Sequence, residues 1–309
     1  MTAGVLILSG PTASGKTELA LALARRFGAE IVGADSRQIY RGMPVGTAAP
    51  TARQQCEVPH HLVGFLGPQE RYSAARFAAD ALAAIRDISA RGRRAIVVGG
   101  TGFYIRALSG DVTLAGTYDE ILRTRLAREA QLHSSETLHG WLTALDAKRA
   151  SMIRASDRYR VLRALEVALA RRGGAGDRKV ERASLRDANV PFEKVYLDVP
   201  IADLEARIAA RVERMLEAGF VDEAERLGPQ AVAGDAVGYP NALAYLRGFA
   251  TREELRRQLY AATRRYAKRQ ATWFRSERGV VRVRIAGLSE AQVRGELERI
   301  ALALPGWNE

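Results

Sequence analysis

Residues 5–17 of the chain, which read VLILSGPTASGKT, decide its fold. Four apolar residues are followed by the spacing G-x-x-x-x-G-K-[ST], and residues 18–27 then favour a helix. This strand–loop–helix order is typical of a P-loop, in which backbone N–H groups, a helix N-terminus and a lysine surround linked phosphates. The pattern predicts a site for a diphosphate, as in ATP-binding and other nucleotide-binding proteins, but does not identify the group that is transferred.

The residues of this loop have separate expected parts. The two glycines let the backbone turn so that its N–H groups point inward, and Lys16 adds a positive charge. The hydroxyl of Thr17 is expected to bind a Mg²⁺ ion that bridges the phosphates. The predicted diphosphate-binding residues are Gly10, Pro11, Thr12, Ala13, Ser14, Gly15, Lys16 and Thr17.

Composition restricts the class of protein. The chain has 309 residues, enough for two domains or for one large domain with an insertion. Cys56 is the only cysteine, so no internal disulfide forms and a reducing compartment is expected. No apolar run approaches membrane-spanning length, and we expect a cytoplasmic monomer without membrane contact. The net charge of +12 favours a polyanionic partner, although basic chains that bind no nucleic acid are also common.

Strand and helix patterns alternate through residues 3–110. Strands are predicted at 5–8, 30–34 and 95–98, with helices at 16–27 and 73–89. This order predicts an α/β fold, a P-loop-type parallel sheet flanked by helices, with ligands at the carboxyl ends of the strands. Asp35, Thr101 and the P-loop all follow such strand ends, and we therefore expect them to form one site.

The pattern changes after residue 110. Residues 111–156 lack strand signals and predict a helical insertion domain. A helix at 157–172, a flexible basic loop at 171–179, strands at 192–199 and 280–285, and helices at 201–218 and 251–276 complete the expected P-loop core, which comprises 1–110 and 157–309. The expected core of the insertion is Leu122, Leu126, Leu132, Leu138, Trp141 and Leu145.

The helix at 251–276 has two faces by its 3.6-residue period. The expected core stripe is Leu255, Leu259, Ala262, Tyr266 and Trp273. The opposite stripe consists of cations, namely Arg257, Arg264, Lys268 and Arg275. Like charges on one face repel each other, so an anionic partner is expected there, with a solvated face as the alternative.

Asp35 is the only acidic residue that ends an apolar strand near the P-loop. A phosphoryl-transfer enzyme usually has an acid after a second strand, but residues 95–98 are followed by Gly99-Gly100-Thr101. Asp35 fits a metal ligand, a general base or a backbone-capping residue. The residues alone therefore leave open a kinase and a transferase that releases diphosphate.

Seven stretches in fixed order carry a specific resemblance. They are GPTASGKT at 10–17, DSRQIYRGMPVGT at 35–47, PHHL at 59–62, VVGGTGFY at 97–104, RALEV at 163–167, GY at 238–239 and TRRYAKRQATWFR at 263–275. Together they span nearly the whole chain, which resembles the tRNA dimethylallyltransferase family. The first stretch alone is generic, whereas the set is specific.

The resemblance implies a reaction and a set of catalytic residues. The P-loop is implied to bind the diphosphate of dimethylallyl diphosphate with Mg²⁺, and the acceptor is the exocyclic amine of the adenosine 3′ of the anticodon. Asp35 matches the general base of the family. Thr101 matches the residue that hydrogen-bonds near the bridging oxygen of the leaving group. Diphosphate is released as the amine attacks.

The resemblance also implies tRNA contacts, some of them through the insertion. The implied contact residues are Asp35, Ser36, Arg37, Gln38, Thr101, Arg123, Tyr159, Arg160, Val161, Leu162, Arg163, Gly238, Tyr239, Arg264, Lys268, Arg269, Gln270 and Arg275. The chain departs from the family pattern at Pro240, where a basic residue is frequent, after PHHL and at 171–190.

Three other functions share parts of this pattern. An adenylate isopentenyltransferase has less need of the helical insertion and the basic helix. A small-molecule kinase would be expected to carry an acidic residue after Val98, and this chain has none there. A non-catalytic RNA-binding protein has no need of the intact set of Lys16, Thr17, Asp35 and Thr101.

Overall fold

A computed structural model describes residues 3–112, 114, 120–173 and 183–308 of the chain. Within them, six strands form one parallel sheet in the order β3-β2-β4-β1-β5-β6. The strands are β1 Val5–Ser9, β2 Ala29–Gly33, β3 His60–His61, β4 Arg94–Gly99, β5 Phe192–Asp198 and β6 Val281–Arg284. The predicted parallel α/β sheet is confirmed.

Helices cover both faces of this sheet, as the continuous apolar runs of the central strands require. The helices before the insertion are α1 Lys16–Phe27, α2 Pro44–Thr47, α3 Ala52–Glu57, α4 Ala74–Ala90 and α5 Gly102–Ser109. The later helices are α10 Ile201–Glu217, α11 Phe220–Leu227, α12 Tyr239–Leu246, α13 Arg252–Arg275 and α14 Glu290–Leu302, with a 3-10 helix at Val232–Asp235. None of the described helices is both long and apolar enough to cross a membrane.

The insertion forms a compact unit of its own, at residues 113–182. Its helices are α6 Glu120–Leu132, α7 Ser135–Leu145, α8 Ala147–Ala150 and α9 Arg158–Arg172. The expectation that the helix at 157–172 belongs to the P-loop core was therefore wrong. The reason is packing, because Val161 and Leu165 of α9 lie in one buried cluster with Leu138 and Leu142 of α7.

Two expected core residues of the insertion lie at its surface. Leu132 is 76% exposed at the end of α6, and Trp141 is 36% exposed on α7. Leu142, which the pattern missed, is fully buried in their place. Of the expected basic loop at 171–179, residues 174–179 lie outside the described residues.

The C-terminal helix α14 was not predicted, and it completes the core around α1. Trp307, just after this helix, is 1% exposed and packs edge-on against Phe27 at a centroid distance of 5.2 Å. Its indole N–H donates to the carbonyl of Gly4 at 2.8 Å. The segment after α14 therefore joins the start of β1 to the end of α1.

Truncation of this indole tests its part in stability. Trp307→Ala removes a buried ring and leaves the Gly4 carbonyl unpaired, so we expect a loss of about 3–5 kcal/mol in the free energy of unfolding. Urea unfolding followed by circular dichroism measures it. Leu302→Ala, at a 40% exposed position of α14, is the control and should change little. Equal midpoints for the two variants would contradict this account of the core.

Candidate active site

Three loops meet at the carboxyl edge of the sheet. Ser9 of β1 is in register with Gly99 of β4, and Val98 is in register with Gly33 of β2. The P-loop follows β1, Asp35 follows β2 and Thr101 follows β4. Parallel pairing therefore brings these three segments to one edge, as the sequence predicts.

The P-loop turns at different residues from those expected. Gly15 has a φ of +87° and precedes α1, as predicted, but the second left-handed residue is Ala13, with a φ of +64°. Gly10 is needed for space, because a Cβ there would lie 2.8 Å from the Ser14 hydroxyl and 3.2 Å from Leu197. The expectation that Gly10 is a turning residue was wrong.

Some P-loop N–H groups are used within the protein. The N–H of Thr12 donates to the Gln270 side chain at 2.8 Å, and that of Ser14 donates to the Pro11 carbonyl at 3.2 Å. The first-turn N–H groups of α1 have no intrahelical partners, by helix geometry. The buried Ser14 hydroxyl beside this helix end also has no hydrogen-bond partner in the part of the chain that the structure describes. These groups can bind anionic oxygens.

Lys16 begins α1 and supplies the positive charge of the P-loop. Its Nζ donates to the Pro11 carbonyl at 3.3 Å. Burial lowers the pKa of Lys16 to about 8, while the charge of Asp35 opposes this shift and that of Arg211 adds to it. An anion bound in the loop would favour the charged form of the amine.

Two arginines of α10 extend the positive region, and sequence reasoning missed both. Arg207 donates from Nη1 to the carbonyl of Ser14 at 3.3 Å, and Arg211 donates from Nη2 to that of Gly46 at 3.4 Å. Burial lowers the pKa of Arg211, and the charge of Asp35 opposes that shift. Their spacing of four residues places them on one helix face, but only the tertiary fold directs that face at the P-loop.

Asp35 has a capping contact and a further electrostatic role. Its Oδ1 accepts from the N–H groups of Arg37 at 2.9 Å and Gln38 at 3.4 Å. Among the described residues, its Oδ2 makes no hydrogen bond. The carboxylate interacts electrostatically with Lys16 and Arg211, and it contributes to raising the pKa of Tyr266, after the larger effect of burial. One oxygen therefore holds the turn, and the other can accept a proton.

Thr101 joins its own loop to that of Asp35. Its Oγ1 accepts from the Ser36 N–H at 3.0 Å and donates to the Ser36 hydroxyl at 3.3 Å. Its N–H donates to the carbonyl of Ala34 at 3.3 Å. The expected neighbourhood of Thr101 and Asp35 is thus present in the structure.

The donor set for a metal ion at this edge is small. Thr17 is partly buried in the first turn of α1, and its hydroxyl has no hydrogen-bond partner among the described residues. The described ranges contain no group of three or more His, Cys, Asp or Glu side chains that could hold a metal. A single hydroxyl fits Mg²⁺, which keeps several waters and takes other ligands from substrate phosphates.

The segment after Asp35 is held from two sides. The amide of Gln38 donates to the carbonyls of Thr47 and Ala48, at 3.1 and 3.0 Å. The buried carboxylate of Glu223 accepts from the N–H groups of Val45 and Gly46, both at 2.8 Å. Arg37 forms an ion pair with Asp235 at 2.8 Å. This segment is therefore well ordered beside the carboxylate of Asp35.

Gly238 and Tyr239 lie behind this segment. Gly238 has a φ of +96° at the start of α12. Tyr239 is 1% exposed, and its hydroxyl donates to Glu223 at 2.7 Å. The implied tRNA contact by the Tyr239 side chain is wrong for this structure, because its hydroxyl positions Glu223 instead.

The long helix α13 differs in part from its predicted stripe. Its buried residues are Leu255, Leu259, Thr263, Ala267, Gln270 and Phe274, so Ala262, Tyr266 and Trp273 are only partly buried. The reason is that polar Thr263 and Gln270 face inward, which a hydrophobic period does not detect. Gln270, for which the resemblance implies a tRNA contact, uses its amide to bond the backbone of two other segments. Its contact with tRNA stays a prediction.

The cationic stripe of α13 is exposed as predicted. Its four residues Arg257, Arg264, Lys268 and Arg275 all lie at the surface, as does Arg269 beside them. Arg264 pairs with Glu205 at 2.7 Å, so its charge is compensated within the protein. The sequence did not predict this pairing, because Glu205 comes from α10.

The implied RNA contacts of the helical unit divide by burial. Tyr159 is 80% exposed, and Arg160 is exposed beside Asp157. Val161 is fully buried, so an RNA contact by its side chain is excluded, and Leu162 packs partly against the same core. Arg123 and Arg163 both pair with Glu166, at 3.5 and 2.8 Å.

Comparison with known proteins covers nearly the whole chain. A family model described as IPP transferase matches residues 38–277, and one described as isopentenyl transferase matches residues 3–58. A tRNA dimethylallyltransferase of Anaeromyxobacter dehalogenans is 48% identical over 282 residues, covering 90% of this chain and 93% of that protein. One of Alkalilimnicola ehrlichii is 44% identical over 313 residues, covering 99% and 97%.

Solved structures agree with these sequence matches. The tRNA isopentenylpyrophosphate transferase of Bacillus halodurans is 33% identical, with a TM-score of 0.70, and the match covers 99% of this chain and 97% of that one. A eukaryotic dimethylallyltransferase that acts on tRNA has a TM-score of 0.76 at 24% identity, covering 97% of this chain and 78% of that one. The latter supports the fold alone.

The pKa of Lys16 predicts how diphosphate binding depends on pH. The bound anion favours the ammonium form, so affinity should be constant below the free pKa of about 8 and should weaken as pH rises above it. The expected loss approaches about tenfold per pH unit while the bound amine stays charged. Calorimetric titration with a diphosphate monoester, across this range, measures it.

Lys16→Arg is the matched control. An arginine stays protonated throughout, so its profile should be flat even where its affinity is lower. Wild-type affinity that does not change between about one pH unit below and one above the pKa would contradict the role of this amine.

Proposed function

Since the chain belongs to the IPP transferase family, we propose that it is a tRNA dimethylallyltransferase. It transfers the dimethylallyl group of dimethylallyl diphosphate to the exocyclic N6 amine of the adenosine 3′ of the anticodon, and releases diphosphate. The two curated relatives described above carry the name of this activity, at 44–48% identity over most of the chain. We propose that a monomer acts in the cytoplasm, where its tRNA substrate is found.

The arrangement of Asp35 beside Lys16 carries this proposal. One oxygen of the Asp35 carboxylate is held by its own turn, and the other makes no hydrogen bond within the described structure. The carboxylate interacts electrostatically with Lys16 of the P-loop. The loop after β4 offers the hydroxyl of Thr101, where a phosphoryl-transfer site usually has an acidic residue. The pair suits proton removal next to a leaving diphosphate better than it suits a kinase.

The reaction is a displacement at the first carbon of the dimethylallyl group. The N6 nitrogen forms a bond to that carbon while the bond from the carbon to the diphosphate oxygen breaks. Asp35 accepts the proton that the amine loses as the new bond forms, and later passes it to water. The products are N6-dimethylallyl adenosine and diphosphate, so atoms and charges balance.

The leaving group is stabilised by groups already in place. Lys16 and the first-turn N–H groups of α1 face the diphosphate, and Arg207 and Arg211 add charge from α10. Preorganised donors of this kind act where charge develops. Thr101 matches the family residue that hydrogen-bonds near the bridging oxygen, and we assign its hydroxyl that role. Thr17 would hold Mg²⁺, which when bound neutralises part of the diphosphate charge.

The tRNA side of the site uses exposed groups. Each unit has exposed groups of its own in stretches that match the tRNA-contacting stretches of the family. In the helical unit these are Tyr159 and Arg160, and in the P-loop unit they are Lys268 and Arg275 of α13. A net charge of +12 supports long-range attraction of a polyanion. Arg37, two residues after Asp35, is the cation nearest in sequence to the proposed base.

Mass analysis of nucleosides tests the proposal directly. The protein is incubated with unmodified tRNA, dimethylallyl diphosphate and Mg²⁺, and the tRNA is then digested. We expect adenosine carrying one dimethylallyl group. Parallel reactions with AMP as acceptor, and with ATP in place of the prenyl donor, test the adenylate prenyltransferase and the kinase. Prenylated AMP without prenylated tRNA would replace our proposal with an adenylate prenyltransferase. Consumption of ATP without any use of the prenyl donor would replace it with a kinase.

Two substitutions of Asp35 separate its capping role from its role as base. Asp35→Asn keeps an oxygen for the N–H groups of Arg37 and Gln38 but cannot take a proton. Asp35→Ala loses both functions. We expect both variants to lower the single-turnover rate by about 10²–10⁴-fold with tRNA affinity nearly unchanged. A near-normal rate for Asp35→Asn beside a slow Asp35→Ala would assign the residue to the turn alone.

Two cations of α13 predict different salt dependence. Lys268 has no ion pair among the described residues, whereas Arg264 pairs with Glu205. Lys268→Ala should reduce the slope of log affinity against log salt by about 1, because one phosphate contact is lost, while Arg264→Ala should reduce it less. Filter binding of tRNA over a salt series measures both slopes.

The control is Arg299→Ala on α14, an exposed cation outside the stretches that match the tRNA-contacting family segments. It should leave the slope unchanged. If Lys268→Ala behaves like this control, the exposed face of α13 is solvated rather than bound to RNA.

A further inference from the structure

Gln270 is a buried polar residue inside α13. It is 6% exposed, and it lies between Ala267 and Phe274 on the inward face of the helix. Its Oε1 accepts from the N–H of Thr12 at 2.8 Å, and its Nε2 donates to the carbonyl of Gly100 at 3.0 Å. One amide thus bonds the backbone of the P-loop and the backbone of the loop after β4.

The contact with the second loop leaves no room for a side chain at position 100. A Cβ on Gly100 would overlap the amide nitrogen of Gln270 and lie 3.4 Å from the carbonyl of Gly10. A Cβ on Gly102 would likewise overlap the indole nitrogen of Trp273. Both glycines therefore allow α13 to approach the loop that carries Thr101.

The bonds continue from Gly100 to the proposed base. Thr101 accepts the N–H of Ser36, which follows Asp35 directly. Gln270 is therefore the link in a chain that runs from Thr12 of the P-loop, through Gly100 and Thr101, to the turn of Asp35. Both polar atoms of its amide are bonded within the protein, and the residue is buried.

We propose that Gln270 is a positioning residue, whose amide fixes the P-loop relative to Thr101 and Asp35 and so sets the donor against the base. This inference rests on the proposed function and replaces the tRNA contact that resemblance implies for Gln270. The amide acts through backbone groups and touches neither substrate. Errors of about 1 Å in such a geometry can cost about 10² in rate.

Gln270→Met tests the proposal, because it keeps the length of the side chain and removes both hydrogen bonds. We expect the single-turnover rate at saturating donor and tRNA to fall about 10–100-fold, and the KM for dimethylallyl diphosphate to rise. Affinity for tRNA should stay within about twofold and its salt slope should not change, because the side chain points inward. Gln258→Met is the control, on the exposed face of the same helix, where the amide bonds only Asn241.

Gln270→Glu is the second variant, and it keeps the acceptor for Thr12 while losing the donor to Gly100. It should also be slow, with donor affinity closer to the wild-type value than that of Gln270→Met. Thermal melting of each variant gives the folded fraction at the assay temperature. A rate per folded molecule equal to that of wild type, in either variant, would show a purely structural role and overturn the proposal.

Other results are equally decisive. Weaker tRNA affinity with a normal rate at saturating tRNA would restore the tRNA-contact interpretation and overturn ours. If the wild type forms no dimethylallyl adenosine, the proposed function itself fails. An active wild type with fully active Gln270 variants would reject this inference alone.

Discussion

Parallel pairing of β1 with β4 is the constraint on which the site depends. Its register sets Ser9 opposite Gly99, so that the P-loop and the Thr101 loop leave the sheet at the same level. Pairing of β4 with β2 brings the turn of Asp35 to that edge as well. A one-residue slip of β4 would turn its buried side chains to the other face and separate the loops. Because residues 95–99 of β4 are all buried, such a slip would also misplace side chains in a close-packed core.

The loops at this edge are then locked together by polar side chains, of which Gln270 and Glu223 are buried. Gln270 bonds Thr12 and Gly100, Thr101 bonds Ser36, and Glu223 holds the segment around Gly46. Each of these buried groups is costly to leave unpaired, so each bond opposes movement of its loop. Bonds between these segments therefore hold the groups of the site in place before any ligand binds, which favours electrostatic stabilisation of a transition state.

Charge is distributed unevenly between the site and the surface. Burial lowers the pKa of both Lys16 and Arg211, the charge of Arg211 lowers that of Lys16 further, and the charge of Asp35 opposes both shifts. A bound diphosphate, as proposed above, would complete this balance, since it would bring negative charge to a cluster with an excess of cations. At the surface several arginines already have partners, such as Arg264 with Glu205 and Arg163 with Glu166. An RNA phosphate has to compete with these carboxylates, so net charge alone overstates the number of cations free to bind RNA.

What the sequence determined by itself is local. The P-loop spacing, the strand ends at Asp35 and Thr101, and the cationic face of α13 follow from short patterns, because backbone turns and helical periods depend on near neighbours. Arg207 and Arg211, the inward amide of Gln270, the buried Tyr239, and the place of α9 in the helical unit were decided only by the tertiary structure. Each depends on which distant segment packs against it. A pattern of hydrophobic residues assigns polar side chains to the surface, so it does not predict that a glutamine amide or a tyrosine hydroxyl is buried. Burial of such groups is stable only when a partner from another element satisfies them, and that partner is fixed by the fold rather than by sequence spacing.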